Sequence, residues 1–269
     1  MKTIILSIVE GITEFLPISS TGHLIVAGVL LDYPTNARET FELFIQFGAV
    51  VAIVIYYRVK LLDQVKRVRS DRGVQRLWLA LIIATIPAGA IGFLTRSFIK
   101  ANLFNPIVVA ISLIVGGVVL ILIERGRKTE PEGAINNLED VSLRQAVVIG
   151  FAQVVALIPG VSRSAASIVG GMLSGLSRRT AAEFSFLLAI PTLGGATLAD
   201  FLLSLDEIHS DQLIYFAVGL ILSGVVAYIA VDWLLRYIQQ HDFRAFGVYR
   251  IAAGALLLVL AALGIMNNA

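Results

Sequence analysis

Apolar residues along this chain come in long runs, and six runs reach the roughly 20 residues of helix that a bilayer core requires. They lie near residues 40–57, 77–95, 106–124, 183–203, 212–233 and 246–265. Two further apolar stretches break the length rule. Residues 3–32 carry Pro17, Ser19, Ser20, Thr21 and Gly22 at their middle, and residues 144–176 carry Pro159, Gly160, Ser162, Arg163 and Ser164. Each stretch divides into two arms of about 12 residues, or roughly 18 Å of helix, little more than half of the hydrocarbon core. Short apolar arms around a polar, helix-breaking tip predict a re-entrant helical hairpin. Such backbone is tolerated at membrane depth only inside protein or along a wet cavity. The predicted fold is all-α: a polytopic integral membrane protein with six transmembrane helices and two re-entrant hairpins.

Charge gives the expected orientation. Region 58–76 carries Arg58, Lys60, Lys66, Arg67, Arg69, Arg72 and Arg76, and region 125–144 carries Arg125, Arg127, Lys128 and Arg144. Arg178 and Arg179 precede the fourth span, and Arg236, Arg244 and Arg250 follow the fifth. The positive-inside rule makes all four regions cytoplasmic. Loop 204–211 holds Asp206, Glu207 and Asp211 with no Lys or Arg, so it is expected outside, as are both chain ends. The first hairpin then opens from outside and the second from inside. That opposition predicts an inverted-topology repeat, residues 1–124 against 144–266, within a single membrane domain covering 1–269. Weak internal likeness agrees: Pro17 with Pro159, Glu39–Phe44 with Ala182–Leu187, and Ile107–Leu122 with Tyr249–Leu260, at offsets near 140 residues. Discontinuous helices at matching places in two halves put a binding site at the midplane between them.

Composition narrows the class. The chain is 57% hydrophobic and only 15% charged, where a soluble domain carries about a quarter charged residues, so no separate soluble domain fits. A net charge of +2 gives no sign of a nucleic-acid partner. The absence of cysteine removes disulfides and thiolate chemistry, and three histidines, His23, His209 and His241, are too few for a histidine zinc cluster. The first apolar arm is cut by Glu10 and Glu14 with no small-residue cleavage site after it, so it is expected to belong to the mature chain.

Ionisable groups at membrane depth are costly, which makes those at the two tips functional candidates. Glu10 and Glu14 are four residues apart and share one helix face. They can chelate one cation, share a proton, or simply form a polar stripe facing water. Ser19, Ser20 and Thr21 follow Pro17 as helix caps or as hydroxyls around an anion at a helix N-terminus. His23 lies three residues after Ser20, near enough for a nucleophile–base pair. On the second tip, Gly160 allows close backbone approach to an anion, Ser162 and Ser164 add hydroxyls, and Arg163 is a permanently charged fork suited to phosphate. Its alternative partner is Glu10 or Glu14. Gln46, inside the first span, is either a partner of the glutamates or a helix–helix hydrogen bond. Gly116–Gly117 and Gly170–Gly171 are expected to be close-packing positions. Carboxylates, a divalent cation, an arginine and a nucleophile form a phosphoryl-transfer set. In a membrane the phosphate is expected on a lipid.

At these residues the chain resembles the undecaprenyl-diphosphatase family, also called bacitracin-resistance proteins. The resemblance rests on Glu10–Glu14 as the family's Glu/Gln-x-x-x-Glu motif, on Ser19–His23 as its Ser-Ser-Thr-Gly-His run, and on residues 159–167 as its Pro-Gly-x-Ser-Arg-Ser-x-x-Thr motif. Ser167 stands where the family has threonine and Ala165 where glycine is usual. The resemblance implies an enzyme of the bacterial inner membrane that hydrolyses undecaprenyl diphosphate to the monophosphate and phosphate at an outward-facing site. It also implies dependence on Mg²⁺ or Ca²⁺, a role in recycling the carrier lipid for the cell wall, and bacitracin as a competitor for the substrate. With the chemistry above, Arg163 is expected to grip the diphosphate, and Glu10 and Glu14 to hold the cation or position a nucleophile. Ser20 is expected to attack with His23 as base; direct attack by His23 or by water stays open. Ser19, Thr21, Gly160, Ser162, Ser164, Ser167 and Gln46 are expected around the substrate. A second copy of the chain stays open as a partner. The alternative is a secondary transporter or lipid flippase, whose architecture the inverted repeat shares. The motifs of the type-2 phosphatidic acid phosphatases are absent: Ser162-Arg163 lacks the following histidine.

Overall fold

The computed structural model describes residues 1–33, 35–127, 130–203 and 213–266, with backbone alone at 35–39 and 200–203. The first hairpin is α1 (Lys2–Thr13) and α2 (Ser20–Leu30), followed by α3 (Thr35–Tyr56), α4 (Arg58–Arg67), α5 (Arg72–Asn102) and α6 (Pro106–Gly126). After a 3₁₀ turn at Leu138–Asp140, the second hairpin is α7 (Leu143–Val155) and α8 (Arg163–Leu173). Then come α9 (Arg178–Ala189), a π turn at Ile190–Gly194, α10 (Gly195–Leu203), α11 (Leu213–Tyr237) and α12 (Arg244–Ala262). No strand occurs among the described residues; Ile135 and Leu176 form an isolated bridge. The acidic loop 204–211, with His209, lies outside the described residues, as does Lys128.

The length rule reads this architecture well. Among the described residues, five helical segments are long and apolar enough to cross a bilayer: α5, α6, Arg178–Ala199, α11 and α12. A sixth is α3, if its continuation into α4 across a 66° bend counts as one span. The hairpin arms are 12, 11, 13 and 11 residues long, as expected. Three details differ. Region 58–76 is not all loop but contains α4. The second span is a helix of 31 residues, about 46 Å, longer than the roughly 30 Å hydrocarbon core. The fourth is interrupted by a π turn holding Pro191, a residue without the N–H a regular ladder needs.

Caps fix where the helices begin. Asp71 accepts from the N–H groups of Gly73 and Val74, Asn105 from that of Val108, and Ser177 from that of Thr180. Ser142 and Gln145 form a reciprocal capping box at α7. In the packing, α1 lies against α11 and α7 against α5, while α6 pairs with α12 and α3 with α11. One buried cluster joins both hairpins, with Phe15, Leu16 and Ile18 of the first tip against Ile168 and Met172 of α8 and Phe184 and Phe186 of α9. Phe15 and Phe186 meet edge to face at 5.5 Å. Outward, Phe93, Leu94 and Val248 are exposed, as a lipid-facing surface requires.

Candidate active site

Both tips turn through the same unusual backbone. Ser19 and Ser162, the residues before α2 and α8, have φ of 72° and 76°. For a serine this is a sparsely occupied region costing about 1–3 kcal/mol, of the kind that collects at functional sites. Ser162 Oγ accepts from the Ala165 N–H at 3.2 Å and caps α8. Ser19 makes no such bond, so α2 begins without a side-chain cap on its first-turn N–H groups.

The tips meet at Glu14. Its Oε1 accepts from Arg163 Nη2 at 3.1 Å, and its Oε2 accepts from Ser20 Oγ at 2.6 Å. Arg163 Nη1 also donates to the Ser185 carbonyl at 2.9 Å, and the Phe15 ring lies under the guanidinium at 5.5 Å. A second tie is neutral: Ser164 Oγ donates to the Leu16 carbonyl at 2.9 Å. Two polar groups beside this junction are unspent. Among the described residues, neither oxygen of Glu10, which is 1% exposed, has a hydrogen-bond partner, nor has Arg163 Nε. A buried polar atom without a partner is rare enough to need a reason, and an absent ligand is one.

Residues 3–256 match the family described as Bacitracin resistance protein BacA. A protein of Deinococcus radiodurans named undecaprenyl-diphosphatase is 49% identical over 271 residues, covering 100% of this chain and 97% of its own. Proteins of the same name from Cupriavidus necator and Ralstonia pickettii are 44% and 46% identical, covering 99% and 97% of this chain and 97% and 95% of their own. This chain belongs to the BacA family. Neither the family description nor these names point to transport.

Within this BacA-family chain the site residues do not all fall where their spacing suggests. The expected Ser20–His23 pair is not formed. Ser20 donates to Glu14, and both ring nitrogens of His23 are engaged elsewhere, Nδ1 with the Ser19 carbonyl at 2.7 Å and Nε2 with the Tyr249 hydroxyl at 2.6 Å. A carbonyl only accepts, so Nδ1 carries a proton and donates to Ser19, while Nε2 pairs with the tyrosine hydroxyl, which can donate or accept. Arg163 takes Glu14 rather than Glu10 as its carboxylate. The hydroxyls on the second tip are committed to scaffolding: Ser162 and Ser164 bond each other at 2.9 Å, and Ser167 donates to the Arg163 carbonyl and meets Ser185 Oγ at 2.7 Å. Gly160 has φ of 93°, and a Cβ there would stand 2.6 Å from the Val109 carbonyl, so packing on α6 as well as backbone shape demands the glycine. Thr21 and Gln46 have no side-chain hydrogen bond among the described residues, and Gln46 is not joined to the glutamates.

Nothing in the motif spacing singles out Tyr249 or Arg250. Arg250 was expected among cytoplasmic loop charges, yet it is fully buried between the tips. The available signal was its place inside the last apolar run, where an ionisable residue is functional by default. Among the described residues no cluster of three or more acidic or histidine side chains could hold a metal. The donor set still fits a cation shared with substrate: Glu10 offers two unpartnered oxygens, and hard divalent ions bound to phosphates use one or two carboxylates. Beside the first tip an open cavity of about 530 Å³ is lined by Val9, Ile12, Leu16, Ile18, Trp233 and Phe246, with His23 and Tyr249 in its wall.

Proposed function

We propose that this integral membrane protein hydrolyses undecaprenyl diphosphate to undecaprenyl phosphate and inorganic phosphate. The observation that carries the reading is the junction of Ser20, Glu14 and Arg163 across the two tips. A hydroxyl 2.6 Å from a carboxylate is a nucleophile with its base in reach, and the guanidinium alongside is a phosphate fork. Ser20 Oγ attacks the terminal phosphorus while its proton passes to Glu14. The bond from that phosphorus to the bridging oxygen breaks, and undecaprenyl phosphate leaves with the electron pair. Glu14 hands that proton to the departing phosphate and is a carboxylate again. Water then attacks the phosphoserine phosphorus, its proton passing to Glu14. As the bond from phosphorus to Ser20 Oγ breaks, Glu14 returns the proton to the serine and inorganic phosphate leaves. Arg163 and the uncapped N-terminus of α2 bind and orient the phosphate oxygens. His23, locked by Ser19 and Tyr249, holds the α2 turn in place and presents its ring to the cavity.

A divalent cation, Mg²⁺ or Ca²⁺, would be held by Glu10 with Glu14 and would neutralise diphosphate charge. The cavity of about 530 Å³ receives the first isoprene units from the side. The location proposed is the bacterial inner membrane, with the site facing outward. The basic regions 58–76 and 125–144, opposite the first tip in the expected topology, support this orientation. The inverted repeat is proposed too. It is supported by two hairpins with 11-residue second arms entered through a positive-φ serine, and by α1 packing on α11 as α7 packs on α5. Consuming the diphosphate that bacitracin binds would recycle the cell-wall carrier and confer resistance.

The test is phosphate release from undecaprenyl diphosphate by purified protein in detergent, with and without EDTA, followed by rapid-quench trapping. Phosphate release that EDTA suppresses, with label trapped on wild-type protein but not on Ser20→Ala, supports the reading. Near-normal turnover of Ser20→Ala would replace the serine by water as nucleophile, and no release from wild-type protein would remove the activity itself.

A further inference from the structure

Among the described residues, Arg250 is the one large charged side chain at 0% exposure outside the junction just described. It lies on α12 at 0% exposure, and among the described residues it pairs with no carboxylate. Its donors go to four backbone carbonyls. Nη1 donates to Pro17 at 3.1 Å, Nη2 to Gly160 at 3.0 Å and Ser112 at 3.3 Å, and Nε to Leu113 at 3.4 Å. Pro17 and Gly160 are the helix-breaking residues of the two opposed tips, each just ahead of the strained serine that opens α2 or α8.

A buried charge without a counter-ion is expensive, and a neutral side chain of similar volume would avoid the cost. What a neutral side chain lacks is the rigid fork of five donors that reaches both turns at once. The Pro17 and Gly160 carbonyls lie at the helix breaks ahead of α2 and α8, whereas those of Ser112 and Leu113 lie within α6. Space for the fork is made on α6: any Cβ on Gly116 would collide with Nη2 and Cζ of Arg250. The preceding residue, Tyr249, bonds His23 on the first hairpin. Two consecutive residues of α12 thus hold the α2 side of the site.

We propose that Arg250 is a positioning residue. By bonding Pro17 and Gly160 together it sets the relative place of the two tips, and so the alignment of Ser20, Glu14 and Arg163 on the diphosphate. This rests on the phosphate site proposed above. It predicts that the fork's shape matters, not its charge alone, and that Gly116 and Arg250 act as one unit.

Calorimetric titration of purified protein in detergent with inorganic pyrophosphate separates positioning from folding. Misfolded molecules lower the stoichiometry and leave Kd unchanged, whereas displaced tips raise Kd. Arg250→Gln, Arg250→Lys and Gly116→Ala are each expected to raise Kd about tenfold, the loss of one hydrogen bond to a charged group. The double variant Arg250→Gln/Gly116→Ala should be no worse than Arg250→Gln, because the vacated space accepts the methyl. Should Arg250→Gln fail to fold, Arg250→Lys and Gly116→Ala carry the test. Wild-type Kd in these two, or additive losses in the double variant, would overturn the proposal. Arg163→Ala is the control for the site itself. If it too keeps wild-type Kd, the phosphate site is wrong; if it alone loses affinity, only the role of Arg250 is.

Discussion

Glu14 is central to the proposed chemistry because its two oxygens take donors from the two tips, Ser20 from its own hairpin and Arg163 from the other. Glu14→Gln keeps the shape but removes the proposed base, so kcat is expected to fall about 10²–10⁴-fold, the usual worth of a positioned general base. A steady-state phosphate-release assay checks this, and a loss confined to KM would argue for a binding role only. The candidate residues were legible in the sequence because Glu10, Glu14, Ser20, His23 and Arg163 are polar at membrane depth. Their partners were not. The three-residue spacing of Ser20 and His23 says only that they share a stretch of helix. The bonds that matter come from Glu14 before the strained turn at Ser19 and from Tyr249 on α12, far away in sequence.

At the scale of elements, the hairpins followed from arm length and helix breakers, whereas α4 was hidden by the basic residues that made region 58–76 look like loop. Charge counting likewise hid Arg250, because a positive-inside tally treats every arginine near a span end as solvent-facing. Elsewhere charges do lock helix ends. Glu124, 3% exposed, accepts from Arg178 Nη2 at 2.6 Å and from the Phe243 N–H at 3.0 Å, joining α6, α9 and the start of α12. Glu124→Ala leaves that arginine without its buried partner and is expected to cost about 3–5 kcal/mol. A lowered midpoint of thermal unfolding in detergent would show it, and an unchanged midpoint would contradict it. The α5 cap adds a pH dependence. The N–H groups of Val74 and Gly73 hold the Asp71 carboxyl below its ordinary range. A carboxyl depressed on folding contributes stability that is fully present above the unfolded value, about 3.9, and lost as pH falls through the folded one. Asp71→Asn should therefore flatten the acid limb of the stability profile.

Across the whole molecule, the arrangement is a pair of half-length hairpins clasped tip to tip inside a shell of spans, with an apolar cavity leading away from the first tip. If that cavity takes isoprene units, Ala245→Trp in its wall should raise KM for undecaprenyl diphosphate more than for a short prenyl diphosphate, with kcat little changed. Equal effects on both substrates would place the tail elsewhere. The proposed repeat was suggested by paired prolines and alternating loop charge. The convergence of its halves on one carboxylate was not, since it depends on how two turns meet in space. The most direct test of the central claim is phosphate release from undecaprenyl diphosphate by wild-type protein and Arg163→Ala side by side, each shown folded by gel filtration in detergent. The expected result is release by the wild type and a loss of about 10²-fold or more in the variant, as for removal of a donor that stabilises developing charge. Equal rates in the two would contradict it.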